Sequence, residues 1–272
     1  LLALAAAPAL ADPYPYGPVG SVNALAVDDD DNTYAVGAFT SIGRQAGRAI
    51  ALDLAGDGTP LEDRPIVDGS VSAAIPDGSG GFYIGGSFQR VGLLPQQHVA
   101  HLRADGTADP AFSVTIVGST VYALALDGGT LYVGGSFSDV GGEARGNLAA
   151  VDATTGAVRT AWNPGAANGN VNALAVIGSN LYVGGAFTAI GADTRTRLAI
   201  VGTSSGTLDA WAPDINSSIT SLAVSGTTLY AGGYFTSAEG EARNRLAAFD
   251  TTTDALLAWN PSASSVVQSI AV

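Results

Sequence analysis

The chain contains no cysteine and no methionine, and only two histidines. Without cysteine it forms no disulfide, no thiolate metal site, no cysteine nucleophile and no covalent haem attachment. Lysine is absent too, because all 11 basic residues are arginine. This excludes the chemistries that need a side-chain amine: phosphate-loop NTPases, Schiff-base enzymes and pyridoxal enzymes.

Positive charge is scarce, since 24 acidic residues oppose 11 basic ones and the net charge is −13. Such a surface repels a phosphate backbone, so we expect no nucleic-acid partner. The 272 residues are enough for a large core and can form one domain.

An apolar stretch over residues 1–11 ends in Ala9-Leu10-Ala11, the small-x-small pattern that signal peptidase cuts. It predicts the C-terminal part of a signal peptide, followed by a linker over residues 12–21; the alternative is a buried segment of the fold. We therefore expect export to an extracellular, cell-surface or periplasmic location. The stretch is too short to span a bilayer as a helix, so we expect no transmembrane segment.

One segment recurs along the chain at intervals of 48–50 residues, starting near positions 22, 71, 121, 171, 219 and 267. A second segment follows the first five copies, as in Tyr132-Val133-Gly134-Gly135-Ser136-Phe137. Turn formers such as Asp127-Gly128-Gly129 separate the two, which is a hairpin signal. A period of this length is typical of solenoids and propellers. The chain ends inside the sixth copy, so we expect it to be part of a longer protein.

The unit contains two further predicted strands, one at Leu148-Ala149-Ala150-Val151 and one at Ala161-Trp162-Asn163-Pro164. Four strands in about 49 residues, with no helical periodicity, predict one blade of an all-β propeller with four-stranded antiparallel blades. Residues 22–272 would form the propeller, with a partial blade from 267.

Three sets of repeated residues are interpreted as structural. The paired glycines weaken a strand unless another backbone comes close, so we expect contacts between blades there. A repeated tryptophan should be buried, and Trp211→Ala should cost about 3 to 5 kcal/mol. An aspartate opens the turn after the third strand and can bond its own backbone. The positions are Gly85, Gly86, Gly134, Gly135, Gly184, Gly185, Gly232, Gly233, Trp162, Trp211, Trp259, Asp152 and Asp250.

The order of these elements, from Tyr132 through Leu148 to Pro164, resembles the delta-60 repeat of large exported bacterial proteins. Residues 102–112 of the second unit resemble the other common ending of that repeat. The resemblance covers residue 22 to the end. It implies a propeller in a secreted or surface protein and carries over no catalytic residues.

Two other propeller families are similar in part. The di-glycine followed by tryptophan is similar to kelch repeats, although their tyrosine lies between the two and here Tyr132 precedes the glycines. The run Asp152-Ala153-Thr154-Thr155-Gly156, with Trp162 beyond it, looks like the blade-docking motif of quinone-cofactor dehydrogenases. This makes a quinoprotein-like oxidoreductase the alternative function, with no cofactor-binding residues assigned.

Two further candidate sites carry polar chemistry. His98 and His101 share a predicted strand but point to opposite faces, so they cannot jointly hold a metal, and polar edge positions are favoured. The acidic run over residues 28–32 offers oxygen ligands to calcium, which would suit a calcium-dependent adhesin. A solvated loop is the favoured interpretation of that run.

Arginines recur at two slots before the third strand, at Arg145, Arg195 and Arg243 and at Arg48, Arg197 and Arg245. A guanidinium fork bound to a carboxylate or to turn carbonyls of the next blade is expected, with an anion-binding ring as the alternative. We expect a non-enzymatic scaffold with no catalytic residue, no metal site and no cofactor, whose ligand is a protein or a glycan.

Overall fold

The computed structural model describes residues 20–27, 33–39, 41–42, 45–46, 49–52 and 66–272. In this part the chain is all-β, with antiparallel strands and no helix, and therefore no helix long and apolar enough to cross a membrane. The predicted signal peptide of residues 1–11 lies outside the described residues. Of the predicted linker, Gly20 and Ser21 belong instead to the first strand, because they pair with Phe39 and Ala38 of the second.

The strands of the described residues are, in chain order, β1 (Gly20–Val27), β2 (Thr33–Phe39), β3 (Ser41–Ile42), β4 (Gln45–Ala46), β5 (Ala49–Leu52), β6 (Val71–Pro76), β7 (Phe82–Gly86), β8 (Val99–Leu102), β9 (Ile116–Asp127), β10 (Thr130–Val140), β11 (Glu143–Ala144), β12 (Leu148–Asp152), β13 (Val171–Ile177), β14 (Asn180–Gly185), β15 (Ala189–Ile190), β16 (Asp193–Thr194), β17 (Leu198–Gly202), β18 (Ile219–Ser225), β19 (Thr228–Gly233), β20 (Ser237–Ala238), β21 (Glu241–Ala242) and β22 (Leu246–Asp250).

Each of the first five repeat units forms one sheet, in which the second strand lies between the first and the third. Sheet one is β1-β2-β5, sheet two β6-β7-β8, sheet three β9-β10-β12, sheet four β13-β14-β17 and sheet five β18-β19-β22. The hairpins between first and second strands turn at Gly128, Gly178 and Gly226, whose φ angles of 53°, 56° and 57° are those that glycine adopts without strain. The short pairs β3-β4, β15-β16 and β20-β21 follow the second strand, and in sheet three β11 pairs with β10 itself.

Every first strand carries a bulge. The register shifts between Val171 and Ala173 in sheet four, for example, so that Asn172 has no partner opposite it in β14. The equivalent shift occurs in the other four sheets. A bulge redirects its extra side chain. The amide of Asn172 accordingly reaches the next sheet and donates to the carbonyl oxygen of Ile219 at 2.9 Å.

The segment predicted as a fourth strand does not form a strand. In sheet three it is reduced to a single bridge between Val151 and Val158, and residues 161–164 are irregular. Two local features oppose a ladder there: the backbone N–H of Trp162 closes a turn onto the carbonyl of Arg159, and Pro164 has no N–H to donate. Sheets two to five therefore have three main strands each. The third strand is followed by an irregular return segment, which carries one bridge residue: Ala108, Val158, Leu208 or Leu256.

The apolar core lies between consecutive sheets. Tyr83 of sheet two is buried in one cluster with Val121, Leu131 and Val151 of sheet three. Tyr132 of sheet three is buried in the next cluster, which it shares with residues of sheet four. Sheets four and five share a third cluster. Sheets three and four thus bury one face against the preceding sheet and the other against the following one, which explains why their first strands are apolar without strict alternation.

Candidate functional site

The first glycine of each pair lies where the next unit begins. A Cβ atom on Gly134 would stand 2.5 Å from Cγ1 of Val171, and one on Gly184 would stand 2.7 Å from Cγ2 of Ile219. Gly85 and Gly232 meet Val121 and Val267 in the same way, at 2.6 and 2.7 Å. No side chain fits in that space, so glycine allows the β-branched side chain of the next sheet to touch the backbone.

The second glycine of each pair contacts its own sheet, where sequence reasoning had placed another contact between units. A Cβ atom on Gly135 would stand 2.3 Å from the carbonyl oxygen of Thr120, beside the bulge of β9. The corresponding distances at Gly86, Gly185 and Gly233 are 2.0, 2.1 and 2.2 Å, to Ser70, Asn170 and Ser218. The bulge brings the backbone of the first strand close, and this close approach requires glycine.

In sheets two and three, the tyrosine before the glycines forms a hydrogen bond with the next sheet. The hydroxyl of Tyr83 donates to the carbonyl oxygen of Ala153 at 2.6 Å, and that of Tyr132 donates to Thr203 at 2.7 Å. Burial, with the nearby charges of Asp77, Asp109 and Asp152, raises the pKa of Tyr83 to about 12. These phenols therefore stay protonated and serve as donors between sheets.

The three tryptophans differ in burial, which corrects the prediction that each is buried. Trp162 is 3% exposed and its indole N–H donates to the carbonyl oxygen of Gly202 at 2.9 Å, whereas Trp259 is 41% exposed and Trp211 is half-buried. The return segments differ in length. Trp162 lies four residues after the bridge residue Val158, but Trp211 and Trp259 lie three residues after Leu208 and Leu256. In sheet four, one residue fewer places the ring of Trp211 differently on sheet five. Trp259 belongs to the last unit, and no complete sheet follows it within residues 66–272.

Asp152 and Asp250 bind the backbone of their own turns. The Oδ1 atom of Asp152 accepts from the N–H groups of Thr154 and Thr155, both at 3.0 Å. Asp250 accepts in the same way from the two residues at positions 252 and 253. These hydrogen bonds lower the pKa of Asp152, with the Thr155 N–H the largest cause. Both carboxylates act as turn caps.

The arginine forks bind carbonyl oxygens of their own unit, where a contact with the next unit had been expected. Arg145 donates to Ala144 and Thr160, at 2.9 and 3.1 Å. Arg195 and Arg243 repeat this with the preceding residue and with the return segment. At the second slot, Arg197 and Arg245 donate to the carbonyls of Ala186 and Tyr234. Arg48 lies outside the described residues. Two guanidinium nitrogens of each first-slot arginine are thus occupied, which argues against an anion-binding ring.

The second arginine slot has an unusual backbone. His98, Asn147, Arg197 and Arg245 occupy it in sheets two to five, with φ angles of 66°, 66°, 71° and 68°. His98 places Nδ1 3.2 Å from the carbonyl oxygen of Gly86, so it binds the backbone as the arginines do. Its role at this slot is local, and it shares no partner with His101.

His101 is the centre of a partly buried cluster of polar side chains within the second repeat unit. Its Nε2 atom lies 2.9 Å from Oδ2 of Asp77, and its Nδ1 atom lies 3.0 Å from Oδ2 of Asp109. Its ring stacks on Tyr83, with centroids 4.6 Å apart, and meets the edge of Phe112 at 6.3 Å. Arg103 donates to the other oxygen of Asp109 at 2.6 Å.

The two carboxylates of this cluster are held by many donors. Asp77 also accepts from the N–H groups of Ser79 and Gly81, at 2.7 and 2.9 Å. Desolvation by burial acts to raise the pKa of Asp77, but the hydrogen bonds from His101 and from its own loop outweigh it and lower the pKa. The pKa of Asp109 is lowered in the same way, against desolvation, by the Ala111 N–H, His101 and Arg103.

This arrangement limits what His101 can do. Each ring nitrogen of His101 faces a carboxylate oxygen within hydrogen-bond distance. Neither nitrogen is then free to ligate a metal or to take a proton from a substrate. Among the described residues no group of three His, Asp or Glu side chains is arranged to hold a metal ion. The cluster fastens the first hairpin of sheet two to its return segment.

Sequence reasoning missed Asp77 and Asp109 as partners of His101, although the register contains a signal. His101 lies opposite Tyr83, at the position that Ala150 and Ala248 occupy opposite their tyrosines. A titratable ring in place of an alanine, at a half-buried position, requires polar partners. The acidic run of residues 28–32 lies outside the described residues.

No protein-family model matches the chain, and no curated protein matches it significantly.

Proposed function

We propose that the chain is a propeller module of an exported protein, in which successive sheets serve as blades and the whole acts as an interaction or structural scaffold. The observation that carries the proposal is the contact repeated from sheet to sheet. In sheets two to five, the first glycine of the second strand receives a Val or Ile side chain of the next unit. A unit that buries both faces against like neighbours is the building principle of propellers and other repeat folds.

The last unit extends this pattern. Val267 and Ile270 lie against Gly232, where a Cβ atom would stand 2.7 and 3.0 Å from them. The backbone N–H of Ile270 donates to the hydroxyl of Ser221 at 3.0 Å. Residues 267–272 thus occupy on sheet five the place that β18 occupies on sheet four.

The non-enzymatic part of the proposal is supported by how the polar side chains are used. The imidazole of His101 is bound at both nitrogens, Asp152 and Asp250 cap turns, and the arginine forks bind carbonyls. These side chains were the strongest sequence candidates for chemistry. Each has a hydrogen-bonding role in the fold that accounts for its presence.

Electron microscopy of the full chain tests the architecture. We expect class averages with sheets radiating around a central axis, and an open spiral or a straight stack would overturn the propeller.

The same preparation, reconstituted with a quinone cofactor and calcium, should show no dye-linked oxidation of alcohols or sugars. Turnover that follows added cofactor would assign the chain to the oxidoreductases instead.

Location is tested separately. In the source cells we expect externally added protease to degrade the chain while a cytoplasmic marker stays intact. Protection of the chain in intact cells, together with cleavage after lysis, would overturn the surface location.

Calcium titration by calorimetry addresses the adhesin alternative at residues 28–32. Heat of calcium binding that is lost in Asp29→Asn would favour that alternative.

A further inference from the structure

Consecutive sheets meet in an interface that we call a joint. On the side of the third strands, the joint between sheets four and five lacks, within the described residues, the hydrogen bonds found at the two preceding joints. Tyr83 and Tyr132 donate across their joints to Ala153 and Thr203. Tyr182 is the equivalent residue and is 1% exposed. Its hydroxyl lies near the side chains of Asn180 and Thr251 but has no hydrogen bond of acceptable geometry within the described residues.

The tryptophan of the same joint is also less well held. The indole of Trp162 donates to Gly202 across the joint between sheets three and four. Trp211, whose return segment is one residue shorter, packs its edge on Phe249 with centroids 5.4 Å apart and forms no such bond in residues 66–272. A buried hydroxyl without a partner and a half-exposed indole both lower the free energy needed to separate these surfaces.

In the turn after β22, a residue other than glycine has a left-handed backbone. Asp254 has a φ of 60° at the position where the preceding units have Gly156 and Gly206, with φ of 77° and 67°. A side chain at Gly206 would collide with the return segment of sheet three, 2.8 Å from the backbone nitrogen of Asn163. Asp254 therefore carries a side chain at the position where Gly206 has no room for one. Partial burial and then the charges of Asp209 and Asp250 raise the pKa of this carboxyl, so like charges also meet here.

On the side of the first strands, the same joint is packed as closely as the two preceding joints. Ile219 is fully buried against Gly184, and the amide of Asn172 donates to its carbonyl oxygen at 2.9 Å. Ile215 is fully buried in the same cluster. The two sides of the joint therefore differ in strength, which is the condition for a hinge.

We propose that sheet five swings reversibly away from sheet four about the contact between Gly184 and Ile219, opening the joint at Tyr182 and Trp211 while the two preceding joints stay closed. The motion uncovers an aromatic surface formed by Tyr182, Trp211 and Phe249. It requires neither closure into a ring nor a ligand. It is a local opening, with a free energy below that of global unfolding.

Thiol labelling tests the opening, because the chain has no cysteine of its own. Ala149, Ala199 and Ala247 are equivalent third-strand residues, each 0% exposed, in the clusters of the three successive joints. We expect Ala247→Cys to react with a soluble thiol reagent roughly tenfold faster than Ala149→Cys and Ala199→Cys under native conditions. Adding Asp254→Gly should slow the reaction of Ala247→Cys.

Equal labelling rates at the three cysteines, or the slowest rate at Ala247→Cys, would overturn the proposal. Circular dichroism verifies that the variants are folded. Should a cysteine variant fail to fold, hydrogen exchange of the wild-type chain decides the question through the third strands β12, β17 and β22. We then expect β22 to exchange fastest, and uniform protection of the three strands would contradict a local opening.

Discussion

The phenol of Tyr132 donates a hydrogen bond to the carbonyl oxygen of Thr203, 71 residues further along the chain and one sheet away. Both groups are buried, so each would lose free energy without the other. Tyr83 forms the same bond with Ala153, while Tyr182 at the next joint does not. Tyr182 can therefore serve as the control for the free energy that the Tyr132 hydrogen bond contributes.

Tyr132→Phe should lower the free energy of unfolding by about 1 to 2 kcal/mol, because it leaves the buried carbonyl of Thr203 without a donor. Tyr182→Phe removes a hydroxyl that forms no hydrogen bond of acceptable geometry within the described residues, and it should change stability by less than about 0.5 kcal/mol, or raise it. Urea unfolding followed by circular dichroism measures both. Equal losses in the two variants would show that the Tyr132 bond contributes nothing measurable.

Gly134→Ala should cost about 2 to 3 kcal/mol, since its Cβ would overlap Val171 and force β13 away from sheet three. Gly129→Ala is the matched control, because the nearest atom to its Cβ is 3.7 Å away, and we expect a change within about 0.5 kcal/mol. Val171→Ala added to Gly134→Ala should recover part of the loss, as neighbours in contact are not additive. No recovery in the double variant would mean that the glycine serves another purpose.

The tryptophan variants should be graded by burial. We expect Trp162→Ala to cost about 3 to 5 kcal/mol, Trp211→Ala about 1 to 3 and Trp259→Ala less than about 1. The order follows from the 3% exposure of Trp162, the partial burial of Trp211 and the 41% exposure of Trp259. Thermal unfolding at one protein concentration ranks the three. A Trp259 loss as large as that of Trp162 would refute the ranking.

Acid should weaken sheet two through Asp77. Its pKa in the folded chain lies below the ordinary value of 3.8, so its contribution to stability is present above that value and is lost as the pH falls through the lower, folded pKa. Asp77→Asn should therefore lower stability at pH 7 and flatten its decline below about pH 4. Asp193→Asn, on the exposed hairpin β15-β16, is the charge-matched control. A decline in Asp77→Asn as steep as in the wild type would contradict the assignment.

The strands and turns could be predicted because their signals are local. Val171 and Tyr182 lie in strands where β-branched and aromatic residues predict them, and Gly178 turns the hairpin between them. The predicted fourth strand is wrong, because residues 161–164 around Trp162 are irregular. That side chain is buried by the next sheet, and burial does not require a ladder.

The candidate site could be predicted only in outline. His98 and His101 were identified as separate, and they have no partner in common. Asp77 and Asp109 were missed because their distance in sequence from His101, 24 and 8 residues, says nothing about a meeting across three strands. Side chains converge there only after β6, β7 and β8 have paired in register.

The sequence by itself determined the all-β class, the repeat length and the places where only glycine fits, because periodicity and backbone conformation are properties of short segments. The tertiary structure alone decided which tryptophan is buried, which tyrosine finds a carbonyl and which joint is weak. These outcomes depend on how one sheet lies on the next, and a return segment one residue shorter changes that contact at Trp211. Contacts between residues 70 apart follow from packing, which no local signal encodes.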